Sequence, residues 1–182
     1  VRKVRAARIF ILDNLLADNA AVPMLVVMPF IPRPPNRQRF IDDLLQDIVP
    51  YVERHYRVRP EPNARAVAGF SIGGYETINL LTQRTDRFAY FGVWSAPVQA
   101  DTAREFAKTS GAFLADAARV NKMVKLLWFR MGDEDMGVPH VRALSAILTA
   151  NGITHDLKFI PGAHRWDVWR RNLHEFAPRL FR

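Results

Sequence analysis

The chain has 182 residues and a mass of 20.9 kDa, which suits one domain, because domains cluster near roughly 100–150 residues. It is 49% apolar and 11% aromatic, enough for a buried core, which argues against intrinsic disorder. Of its 26 basic residues 21 are arginine, against 18 acids, for a net charge of +8, and the absence of cysteine excludes disulfide frameworks and cysteine-ligated metal or iron–sulfur sites.

In chain order, apolar strands alternate with amphipathic helices. Residues 9–18 carry Ile9, Leu12, Leu15 and Leu16 at helical spacing, and Met24–Met28 reads as a buried strand. Three prolines between Phe30 and Arg37 mark a surface loop. Residues 38–56 repeat apolar positions at Ile41, Leu44, Leu45, Ile48 and Val52, a helix that Pro50 should kink by removing one N–H. Ala64–Phe70 reads as a strand, about Gly73 to Gln83 as a helix, and Ala89–Trp94 as a strand. Residues 101–121 are helical in part, and Lys125–Met131 is a strand. Pro139 and Gly152 bracket the next helix. Thr154–Ile160 is the last strand and Trp166–Phe176 the closing helix. This alternation predicts a three-layer α/β domain: about five mainly parallel strands, helices on both faces, right-handed crossovers. Ligands in such sheets bind beyond the carboxyl ends of the strands.

The chemistry-bearing residues stand at those ends. Gly69-Phe70-Ser71-Ile72-Gly73-Gly74 follows one strand and opens a helix, the pattern of a nucleophile elbow. Small residues suit the sharp turn, and the turn puts the Ile72 N–H at a helix N-terminus, where it can stabilise an oxyanion. A serine hydroxyl needs a base to take its proton. Of five histidines, His164 alone follows the last strand directly. An acid that orients the imidazole should come from the loop between, Gly132-Asp133-Glu134-Asp135, and spacing does not choose between Asp133 and Asp135.

The segments Phe70-Ser71-Ile72-Gly73-Gly74, Lys125–Phe129 with its following Gly-x-x-Asp, and Gly162–Arg171 resemble the esterase D-like and feruloyl esterase group, carbohydrate esterase family 1, of the α/β-hydrolase fold. The resemblance extends to Ile11–Leu16, Asp47–Tyr51 and Phe88–Gly92. It implies that Asp135 is the acid and that the reaction is hydrolysis of carboxylic esters, often feruloyl or acetyl groups on carbohydrate, with neither metal nor cofactor. Members of the group carry further strands and a His-Gly oxyanion loop before this region, whereas only Val1–Phe10 stand here, without glycine. The chain thus resembles an N-terminally truncated domain. A lost oxyanion donor costs on the order of 100- to 1,000-fold in rate.

The sequence reading is therefore a serine esterase in which His164 takes the Ser71 proton, Asp135 orients His164 and Ile72 holds the oxyanion. The Phe30 N–H is a candidate second donor and Trp166 a candidate pocket wall. Short acyl esters should be preferred. The rival readings are an assembly-only fragment without turnover and, last, a basic nucleic-acid-binding domain, since the arginines are scattered rather than interleaved with aromatics. No apolar run approaches the roughly 18 residues of a membrane span, and no signal-peptide pattern is visible. A cytoplasmic setting is expected, with secretion open if sequence precedes Val1. A strand absent between Met24–Met28 and Ala64–Phe70 would expose apolar edge, which predicts a homo-oligomer joined through about Val1 to Pro35.

Overall fold

The computed structural model describes residues 2–31, 37–96 and 100–182. Most of the proline-rich loop expected between Phe30 and Arg37 lies outside them. Helix α1 (Arg2–Ala17) is followed, after a stretch with neither helix nor strand over residues 20–31, by α2 (Arg37–Asp42) and α3 (Val49–His55). The alternating part follows: β1 (Ala66–Phe70), α4 (Ile72–Arg84), β2 (Tyr90–Trp94), α5 (Ala100–Thr109), α6 (Gly111–Ala115), α7 (Ala117–Met123), β3 (Leu126–Gly132), α8 (Val138–Ala150), β4 (Asp156–Ile160) and α9 (Trp166–Phe176). The four strands pair in sequence order and all in parallel. This is the expected α/β-hydrolase-like architecture, with four strands among the described residues instead of about five.

Side-chain alternation explains why the central strands read as unbroken apolar runs. Phe91 and Val93 of β2, with Leu127, Phe129 and Met131 of β3, pack into a core shared with α2, α4, α5 and α8. Their neighbours Tyr90, Trp94 and Trp128 enter a second core with Val168, Trp169 and Phe176 of α9. A strand covered on both faces has no polar side to show. Right-handed crossovers between neighbouring parallel strands carry α4 and α8 to one face, while α9 packs on the other face, against α1.

Two expectations are corrected. Met24–Met28 is not a buried strand: the stretch makes no ladder, and Leu25, Val26, Val27 and Met28 are 44–50% exposed. An apolar run becomes a strand only beside a hydrogen-bonding neighbour, and among the described residues β1, at the sheet edge, pairs with β2 alone. Pro50 does not simply kink one α-helix. The helix widens to a π-turn over Asp43–Ile48 and continues as α3 with Pro50 near its start, so the wider turn stands where Pro50 offers no N–H to the turn before it.

The far edge of the sheet is tied by charge. The Arg130 guanidinium is 95% buried, lies 4.1 Å from the Trp128 ring centre, and donates to both Asp156 carboxylate oxygens at 3.0 Å. Arg179 adds a contact of 2.7 Å. Burial pushes the Asp156 carboxyl up, but the hydrogen bonds from Arg130 and Arg179 outweigh it and hold it below the usual carboxylate range. A depressed carboxyl stabilises the fold above its unfolded value, about 3.9, and loses that contribution as pH falls through the folded value. Thermal melts of Asp156→Asn beside the parent should therefore show a Tm deficit above about pH 5 that vanishes toward pH 2. A deficit independent of pH would show that charge is not its source.

Candidate active site

The parallel register aligns the carboxyl ends of the strands, with Phe70 opposite Trp94 and Gly132 opposite Ile160. The loops after β1, β3 and β4 therefore open on one edge. Ser71 sits between β1 and α4 at φ 53° and ψ −124°, a conformation that an L-residue holds only when its surroundings enforce it. Its N–H donates to the Trp94 carbonyl at 2.9 Å, and its carbonyl accepts the Tyr75 N–H that starts α4. A Cβ on Gly69 would stand 2.2 Å from the Gly73 carbonyl carbon, so only glycine lets the strand and the helix meet this closely.

The structure joins Ser71, His164 and Asp135 in one hydrogen-bonded chain. Ser71 Oγ lies 3.0 Å from His164 Nε2, and His164 Nδ1 lies 2.9 Å from Asp135 Oδ2. A carboxylate only accepts, so Nδ1 carries the ring proton and Nε2 is left to accept from the serine hydroxyl. Asp135 is 4% exposed, and its Oδ1 accepts the Gly137 N–H at 3.0 Å. Both of its oxygens are thus held, in surroundings that screen little. Ile72 is the first residue of α4, so its N–H lacks an intrahelical acceptor and carries the partial positive charge of the helix start.

Other candidates fall elsewhere. His155 accepts from or donates to Ser145 Oγ at 2.7 Å, and His55 stacks on Tyr51, both away from this edge. Asp133 is not bonded to His164; its Oδ1 accepts the Gly162 N–H at 2.9 Å. Phe30, the candidate second oxyanion donor, is not brought to Ser71 by any strand pairing among the described residues, and it is 84% exposed. Trp166 does border the site. It is 42% exposed and meets Phe70 edge-on at 4.7 Å and Trp169 at 5.0 Å. Trp169 stacks on Phe70 at 4.3 Å and meets His164 edge-on at 5.0 Å. Sequence reasoning gave Phe70 and Trp169 no part here. The available signal was the three-residue spacing of Trp166 and Trp169, which puts both rings on one helix face beside the histidine loop.

A strained serine between a parallel strand and a helix, bonded to a histidine after the last strand, defines a protein of the α/β-hydrolase type. A sequence profile described as putative esterase matches residues 28–180, and the chain belongs to this esterase family. It is similar to an endo-1,4-beta-xylanase/feruloyl esterase of Xylanibacter ruminicola, 25% identical over 181 residues, covering 94% of this chain and 23% of the relative. An esterase of Mycobacterium tuberculosis is 26% identical over 178 residues, covering 75% of this chain and 39% of the relative. The chain thus spans less than two fifths of these relatives. Among solved structures, a ferulic acid esterase superposes with a TM-score of 0.77 at 20% identity, over 93% of this chain and 74% of that one. A ferulic acid esterase from Anaeromyces mucronatus gives 0.71 at 22% identity, over 92% and 69%.

Proposed function

We propose that this chain is a serine carboxylic-ester hydrolase that works through an acyl-enzyme. His164 Nε2 takes the Ser71 hydroxyl proton as Oγ bonds to the ester carbonyl carbon, and the carbonyl electron pair moves onto oxygen. The Ile72 N–H, at the positive end of α4, donates to that oxyanion. As the tetrahedral intermediate collapses, the imidazolium returns the proton to the departing alkoxide, leaving an alcohol and an acyl group on Ser71. Water, deprotonated by the same nitrogen, releases the acid. Asp135 fixes the ring tautomer and stabilises the transient imidazolium. The observation that carries this reading is the Ser71–His164–Asp135 chain, at 3.0 and 2.9 Å.

The finer reading is a short-acyl esterase of the carbohydrate esterase family 1 kind, acting on acetyl or feruloyl groups, with Trp166 as the wall beside the acyl chain. Hydrolysis of p-nitrophenyl acetate tests the first claim. Ser71→Ala and His164→Ala should each lower kcat by about 1,000-fold or more, with little further loss in the double variant. Asp135→Asn should approach the same loss. Parent-level activity in Ser71→Ala would refute the mechanism, and an inactive but folded parent would favour the rival reading as an assembly fragment. Across acetyl, butyryl, octanoyl and longer esters, kcat/KM should fall with chain length, and a rise would contradict the short-acyl preference.

We further propose a two-fold homodimer through the Leu25–Met28 stretch. The support is the half-exposed apolar side chains of Leu25, Val26 and Val27, which line an open cleft of about 500 Å³ together with Asp47, Ile48, Tyr51, Val52 and Tyr56. No charged residue stands between Asp18 and Arg33, so the stretch itself brings no like charges together when two copies of net charge +8 meet. An exposed apolar stretch is readily covered by its own copy across a two-fold axis. Light scattering at micromolar concentration should give a dimer mass that halves in Val26→Lys. A parent monomer of 21 kDa would overturn the assembly.

A further inference from the structure

We propose that Asp133 is a positioning residue, whose carboxylate grips the Gly162 peptide and so fixes the loop that carries His164. The inference rests on the reading of Ser71 and His164 as nucleophile and base, and adds a role for the carboxylate that the hydrogen-bonded chain leaves out.

Three hydrogen bonds lace the loop after β3 to the loop after β4. The Asp133 N–H donates to the Ile160 carbonyl at 2.9 Å, the Glu134 N–H to the Gly162 carbonyl at 2.9 Å, and the Gly162 N–H to Asp133 Oδ1 at 2.9 Å. Gly162 is thus held through both its N–H and its C=O by consecutive residues of the facing loop. The fit is close: a Cβ on Gly132 would stand 2.0 Å from the Gly162 oxygen. Gly162 itself turns at φ 127°, and a Cβ there would lie 2.8 Å from Val168 Cγ2. Its conformation is the bend that aims the chain at His164, two residues on.

Two of these bonds run between backbone groups and do not involve the Asp133 side chain. The third depends on a side chain, and it is the only one of the three that holds the N–H of Gly162. Without it the N–H is left to water at a half-buried position, and the fold keeps its core. The histidine loses one restraint on its approach to Ser71 and Asp135, and a misplacement of about 1 Å at a reacting group costs on the order of 100-fold in rate. An exposed side chain thereby acts on the chemistry with little effect on the folded core.

The role needs an acceptor oxygen at a fixed place; negative charge is not required. Asp133→Asn keeps the oxygen and removes the charge, Asp133→Glu keeps the charge and displaces the oxygen, and Asp133→Ala removes both. With p-nitrophenyl acetate, Asp133→Ala and Asp133→Glu should lower kcat by about 10- to 100-fold with KM changed less than about 3-fold. Asp133→Asn should stay within about 3-fold of the parent. The downfield proton resonance of His164 Nδ1–H should weaken or vanish in Asp133→Ala and persist in Asp133→Asn, a signature that simple loss of stability does not produce. Parent-level kcat with an intact resonance in Asp133→Ala would overturn the inference. So would an Asn variant as slow as Ala, which would assign the effect to charge. Failure of the mechanism itself reads differently: Ser71→Ala would then retain activity whatever the Asp133 variants do.

Discussion

The hydrogen bond between Ser71 and His164 joins residues 93 positions apart, and it depends on the register of four parallel strands. Because Phe70 pairs with Trp94, and Gly132 with Ile160, the serine, the acid and the histidine leave the sheet at one edge. A slip by one residue would reverse every side chain on the moving strand. Phe91, Phe129 and Trp128 hold the register, each at most 1% exposed and each committed to one of two cores. Core packing is thus what sets the distance between Ser71 and His164.

Around that frame, backbone contacts do most of the positioning. Gly69 lets β1 and α4 approach until only a hydrogen atom fits between them, and the resulting turn holds Ser71 in a conformation the chain would otherwise avoid. Gly132 and Gly162 do the same for the acid and histidine loops. The acid is buried with both oxygens engaged, while the histidine side chain stays 37% exposed. That combination leaves part of the imidazole exposed beside Ser71 while its Nδ1 is held by Asp135. The aromatic group of Phe70, Trp166 and Trp169 flanks the same ring.

Much of this was legible in the sequence, and for a physical reason. Ser71 and Ile72 stand out because an elbow needs glycine at fixed offsets, and His164 because it follows the last strand directly. Both signals are local. The choice between Asp133 and Asp135 was not legible from spacing, because it depends on which carboxylate faces inward: Asp135 is buried and Asp133 is exposed. Met24–Met28 misled because an apolar run looks the same whether or not a neighbouring strand exists to pair with it. The π-turn before Pro50 was hidden for a similar reason, since apolar spacing reports a helix but not how its hydrogen bonds are shifted.

The central claim is that Ser71 is the residue to which an acyl group is transferred, activated by His164. Reaction with an alkyl fluorophosphonate, followed by intact mass and peptide mapping, reads this directly. One adduct on the peptide containing Ser71 is expected, at a rate that falls sharply in His164→Ala while the protein stays folded. No adduct on the folded protein, or an adduct on another serine such as Ser145, which also lies against a histidine, would contradict it.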